Sequence, residues 1–207
     1  MDLQFTPVEV RILGSLIEKE KTTPEYYPLT LNSLLHACNQ KSNRDPVMKL
    51  SETEIENNIH TLKEKKLIWQ VMTSGSRTPK YKHDVVSVFG FSDKQIAILT
   101  VLMLRGPQTV GEIKGHSVRL YPFASLEETE AEIEALIQDS KGPYIIHLPR
   151  QVGQKERRYG HLFFGADIIN NMQDSTAYDG DEKIFALERR LATLEQELEL
   201  LKEKINK

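Results

Sequence analysis

The sequence has almost no cysteine: Cys38 stands alone among 207 residues, so no disulfide can form within the chain. It has no long apolar run. The longest, Ile96 to Leu104, is interrupted by Thr100 and falls far short of the ~20 residues a spanning helix needs. The opening residues, Met1-Asp2-Leu3-Gln4, lack the basic and apolar regions of a secretion signal. These absences predict a cytoplasmic protein that makes no membrane contact. A strong charge of either sign is missing too. The net charge is −3, which is not the footprint of a tight nucleic-acid binder. The acidity lies in the tail: residues 1–90 sum to +1, 91–165 to zero and 166–207 to −4.

Catalytic and metal-binding patterns are also lacking. The six histidines have no His-x3-His spacing, and there is neither a Walker loop nor a Gly-x-Gly-x-x-Gly. His36 and Cys38 are two apart on an expected helix and do not share a face. No Ser, His and Asp set stands in a recognisable context. We therefore expect no enzyme, no metal and no cofactor, and read Cys38 as a small core filler.

What is present is a repeat. Thr6-Pro7-Val8-Glu9-Val10-Arg11-Ile12-Leu13 runs parallel to Ser92-Asp93-Lys94-Gln95-Ile96-Ala97-Ile98-Leu99, and Gly75…Tyr81-Lys82-His83 to Gly153…Tyr159-Gly160-His161. Two copies of one small unit imply a duplication. In the first copy Thr6 caps a helix to about Lys19, with Pro7 in its first turn. Thr22 to Pro28 reads as loop, and Thr30 caps a second helix through Cys38. Asn39 to Lys49 is a polar turn. Ser51-Glu52-Thr53-Glu54 is a capping box that opens a third helix. Strands follow at Leu67–Met72 and Tyr81–Val88.

The second copy repeats this order. Its helices start at Ser92, Thr109 and Ser125, and its strands cover Tyr144–Leu148 and Tyr159–Phe164. Three helices then a hairpin is the order of a winged helix. The expected fold is a helix-rich α+β chain: winged-helix domains at 1–90 and 91–165, a linker at 166–182 and a helix at 183–207.

That last helix is a heptad seam. Ile184, Leu191, Leu198 and Ile205 fall on a; Leu187, Leu194 and Leu201 fall on d. In a parallel pair Arg190 would meet Glu195, and Glu197 would meet Lys202, so charge favours a parallel homodimer. The other reading is a helix folded back on its own chain; the strict 3.5-residue period favours the coiled coil.

The residues between helices carry a resemblance. Thr22-Thr23-Pro24, Tyr27-Pro28-Leu29, Ala37-Cys38-Asn39-Gln40-Lys41, Asn43-Arg44, Pro46-Val47-Met48 and Leu50-Ser51-Glu52 resemble the central signature of the YceH-like bacterial proteins. Leu104 to Thr109, Arg158-Tyr159 and His161-Leu162-Phe163 are similar to its second half. The likeness covers about residues 3–165 and implies a tandem winged-helix fold, with little said of activity. Asp45 stands where some relatives are expected to carry Glu.

Candidate contacts follow from charge. The 39–49 turn carries Lys41, Asn43 and Arg44, which suit phosphates or simply hold a long turn through local bonds. The wings carry Arg77, Lys80 and Lys82, and Lys155, Arg157 and Arg158. Such cations suit DNA or protect an edge strand. The third helices oppose DNA: Glu127, Glu130 and Glu134 would repel phosphates and instead suit a basic protein partner. Lastly, Arg11, Ser15 and Glu18 on the first helix correspond to Ala97, Val101 and Leu104, an extra apolar face that suits a domain or subunit contact or burial beneath Tyr121-Pro122-Phe123. DNA-associated regulator and protein–protein adaptor are both open on these grounds.

Overall fold

Among the described residues, every long helix begins at a Ser or Thr whose hydroxyl accepts a backbone N–H from the first turn. This satisfies donors that a helix start leaves free. In the computed structural model, which describes residues 4–72, 78–149 and 156–164, Thr6 opens α1 (Pro7–Thr22), Thr30 opens α2 (Leu31–Cys38) and Ser51 opens α3 (Glu52–Glu64). In the second repeat Ser92 opens α5 (Asp93–Arg105), Thr109 opens α6 (Val110–Ser117) and Ser125 opens α7 (Leu126–Ile137). A five-residue helix, α4 (Val85–Phe89), lies between the repeats. The described fold is mixed α+β and helix-rich.

Each repeat adds a small antiparallel sheet. In the first, β1 (Leu29–Thr30), β2 (Ile68–Val71) and β3 (Lys80–His83) run in the order β1-β3-β2. In the second, β4 (Ile145–His147) pairs with β5 (Tyr159–His161), and Gln108 forms a single bridge to Tyr159. The registers coincide: Ile68 faces His83 as Ile145 faces His161. Asp84 N–H closes the first hairpin on Leu67 O, and Leu162 N–H closes the second on Tyr144 O. The Tyr-x-His spacing thus recurs on two hairpins of the same register.

Two expectations are corrected. The return strand expected over Tyr81–Val88 stops at His83, and Val85 onward is helical. The Nδ1 atom of His83 accepts the Val85 N–H, and Gly90, at φ 75°, ends α4 in a left-handed conformation that glycine adopts freely. The Thr22–Pro28 loop contains a 3-10 turn at Pro24–Tyr26, and a two-residue strand follows it.

The two repeats share one apolar core. It runs from Ile12, Leu16 and Ile55 in the first through Ile98, Leu102 and Ile133 in the second. α1 and α5 lie along each other. Gly14 sits so close to Leu104 that a Cβ there would stand 2.9 Å from a Leu104 methyl. Phe5 N–H donates to Phe163 O at 2.8 Å, and their rings meet edge to face, tying the start of α1 to the end of the second repeat. The described residues belong to one unit, Met1–Gly165, and the expected boundary at 90/91 falls inside it. The linker at 166–182, the heptad positions Ile184 to Ile205, and the wing residues Arg77 and Lys155 lie outside the described residues.

Candidate nucleic-acid interface

Strand alternation sorts the first hairpin into two faces. Ile68, Tyr81 and His83 are buried. Trp69, Val71, Lys80 and Lys82 take the opposite face, where Trp69 stands directly across from Lys82 and Val71 from Lys80. Lys82 is exposed and Lys80 half-buried. Among the described residues, no ion pair or hydrogen bond holds either ammonium. Trp69 is 48% exposed, yet its indole N–H donates to Asp84 Oδ2 at 2.8 Å. Hydrogen bonds from Ser87 and Trp69 hold the Asp84 carboxyl below its ordinary range, so it remains an acceptor. Trp69 is the functional candidate that sequence reasoning missed. Its signal was available: it is the chain's one tryptophan, set opposite a lysine by strand period alone.

The 39–49 turn divides differently from its charge pattern. Lys41 is exposed. Arg44 is turned inward: its side chain has no exposed area and forms an ion pair with Glu18 at 2.7 Å. It also donates to Ala37 O and Asn43 O. Arg44 is therefore not presented to a phosphate, and its place among the cationic contacts is corrected on that ground. Beside it, buried Arg11 donates to Cys38 O and Pro46 O. Asn43, at φ 59°, occupies the left-handed region that asparagine tolerates, and its side-chain oxygen accepts from Arg105. Asn39 bonds the Leu50 backbone in both directions at 2.8 Å, fastening the two ends of the turn. Asp45 N–H reaches Leu104 O. The signature residues Arg44 and Asn43 thus bind the turn to α1 and α5, and Asn39 closes it on itself.

Electrostatics explain why that ion pair holds. Burial alone would raise the Glu18 carboxyl, but hydrogen bonds and charge from Arg44, with help from Lys19, outweigh it and leave the group below its ordinary 4.5. Glu9 follows the same pattern, with Lys65, Thr6 and Thr61 overcoming burial. Cys38 is fully buried, and burial pushes its thiol up to about 11, which describes an unreactive core residue.

The second hairpin presents less. Arg157 is exposed, but Arg158 donates to Pro107 O and pairs with Glu112 at 3.0 Å. Ile146 stands where the first hairpin has Trp69, and Gly160 where it has Lys82. On α7, Glu127 and Glu130 are exposed, while Glu134 is half-buried, accepts from Gln138 and lies 3.6 Å from His147. Ala97, Val101 and Leu104 are all buried, and Leu104 packs on Gly14 of α1. His161, at the position of His83, is fully buried, and burial pulls it down to about 3. It accepts the Phe163 N–H on Nδ1, as His83 accepts that of Val85. Among the described residues, no group of three or more His, Cys, Asp and Glu could hold a metal ion. No described helix is long and apolar enough to cross a membrane.

Residues 5–154 match the family model described as "Protein of unknown function, DUF480". A UPF0502 protein of Photobacterium profundum is 41% identical over 98% of this chain and 97% of its own length. One from Geobacter sulfurreducens is 45% identical over 94% and 91%. One from Aliivibrio fischeri is 42% identical over 98% and 96%. The chain belongs to this DUF480/UPF0502 family of bacterial proteins, in agreement with the YceH-like resemblance.

Proposed function

We propose that the chain is a non-enzymatic, tandem winged-helix protein that associates with DNA in the manner of a transcription regulator, as a homodimer joined by its C-terminal heptads. The observation that carries the reading is the outer face of the first hairpin. Two lysines stand there without a partner among the described residues, on a hairpin that follows three helices. Lys41 adds charge from the turn and Arg157 from the second hairpin. Arg44 and Arg158 are withdrawn from the contact set because each is already paired with a carboxylate of the chain, Glu18 and Glu112 respectively. The third helices do not read the major groove in this reading, because α7 carries Glu127, Glu128, Glu130, Glu132 and Glu134 and no cation. Affinity then comes from phosphate contacts and depends steeply on salt.

Anisotropy titrations of a labelled duplex across a salt series test this. The double reversal Lys80→Glu, Lys82→Glu should weaken binding on every sequence and flatten the salt slope by about one unit for each phosphate no longer neutralised. Absence of duplex binding at low salt rejects the proposal. The second reading, a protein–protein adaptor, is favoured by the exposure of Glu127 and Glu130 on α7. It predicts that reversing these two abolishes a complex with a basic protein, while reversals on the hairpin are tolerated.

A further inference from the structure

A lysine pair accounts for phosphate binding, but it leaves Trp69 unexplained. An indole half in water forgoes the burial that normally stabilises the largest apolar side chain. Trp69 nonetheless has one fixed orientation, because Asp84 holds its N–H. Its site across from Lys82, with Lys80 further along the same face, sets a flat ring beside two cations. In the second repeat the corresponding residues are Ile146, Gly160 and the internally paired Arg158. At these register positions the ring and the available cations therefore occur together in one repeat and are absent together from the other.

From this pairing we propose that the outer face of β2 and β3 binds single-stranded nucleic acid, with an unpaired base stacked on Trp69 and the adjoining phosphates on Lys80 and Lys82. The proposal rests on the nucleic-acid reading above and narrows its substrate class. A stacking platform needs the flat face of a base. A duplex hides those faces inside its stack, and exposing one costs a few kcal/mol. A single strand offers them freely, and stacking on an aromatic side chain contributes about 1–3 kcal/mol per base. Val86 and Met72 are also exposed, and apolar exposure alone would suit a protein surface. The two ammonium groups decide for a polyanion, because a partner protein's apolar anchor would have to desolvate them. Glu20 and Asp84 lie within electrostatic range of Lys82, but both carboxylates are engaged, by His83 and Trp69 respectively.

The chain has one tryptophan, so its intrinsic fluorescence reports this site alone. The full-length protein is titrated at low salt with a thymidine oligonucleotide of about 16 nucleotides, and separately with a duplex of the same length. The expected result is saturable quenching by the single strand that weakens as salt rises. By anisotropy of labelled oligonucleotide, Trp69→Ala should then weaken single-strand binding by roughly 5- to 150-fold, and Trp69→Phe should retain most of it. Thermal melts of both variants report that the fold is kept. Duplex affinity should change by less than about threefold, because the lysines still meet the phosphates. Single-strand binding without a change in emission, or equal losses on duplex and single strand, overturns the platform while leaving the DNA reading in place. Failure to bind either nucleic acid at low salt removes both. A protein complex that disappears in Trp69→Ala, in a chain that does not bind the oligonucleotide, overturns the proposal in favour of a protein ligand.

Discussion

The two hairpins share one register and one set of closing hydrogen bonds but not one outer surface. The first turns Trp69, Lys80 and Lys82 outward. The second has Ile146 and Gly160 at the equivalent positions, and its Arg158 is drawn back to Glu112 and Pro107. The inner positions agree in kind: Tyr81 with Tyr159, His83 with His161, Ile68 with Ile145. The contrast separates what the fold requires from what a ligand could use. Positions kept in both copies fill the core, and positions that differ outside it are where a duplicated unit can specialise.

The largest effect expected from this contrast concerns two arginines. Arg44 is buried and Arg158 is one-third exposed. Arg44→Met should cost about 3–5 kcal/mol in denaturant unfolding, because Glu18 would be left charged and enclosed. Arg158→Met should cost less than about 1 kcal/mol, the usual range for a solvent-screened pair. Equal costs would break the distinction between an internal and a surface cation. Glu18 has a depressed pKa in the fold, so the stability from its pair is present above about 4.5 and is lost as the pH falls through its folded value.

The next effect is at the seam between the copies. Leu104→Ala should destabilise by about 2–5 kcal/mol, through reduced burial and the cavity it leaves against Gly14. A change under about 0.5 kcal/mol, the range of surface substitutions, would mean that the helices do not depend on each other there.

A pH-dependent effect is carried by His161. His161 is neutral in the fold, with its pKa lowered from 6.5 to about 3 by burial. The unfolded chain binds a proton there below 6.5 and the folded chain does not. Stability is therefore full above pH 6.5 and falls on acidification towards 3, by at most about 1.4 kcal/mol per pH unit. His161→Asn, which keeps an acceptor for the Phe163 N–H, should flatten that part of the stability profile. The smallest effect is on Arg157, where charge reversal should alter DNA affinity several-fold less than reversal of Lys80 and Lys82.

Much of this arrangement was legible in the sequence because it is local. Thr6, Ser51, Ser92, Thr109 and Ser125 announce their helices through caps, and Tyr81-x-His83 against Tyr159-x-His161 announces the duplication. What was not legible depends on partners far along the chain. Arg44 reads as a surface cation until Glu18, 26 residues earlier, is placed beside it. Leu29 and Thr30 are too few to show a strand period and become one only by pairing with Tyr81 and Lys80. Val85 to Phe89 are β-branched or aromatic in four of five positions, a strand composition overridden by the His83 cap and by Gly90. The outward direction of Trp69 follows from strand period, but its fixed orientation required Asp84 to be seen.

Ultraviolet cross-linking of the full-length chain to a thymidine-rich single strand, with the linked peptides mapped by mass spectrometry, tests the contrast between the hairpins most directly. The account predicts adducts on the peptides that carry Trp69 and Lys80–Lys82, and none on those with Ile146 or Glu127–Glu134. Adducts confined to the second repeat, or spread evenly over both hairpins, would contradict it.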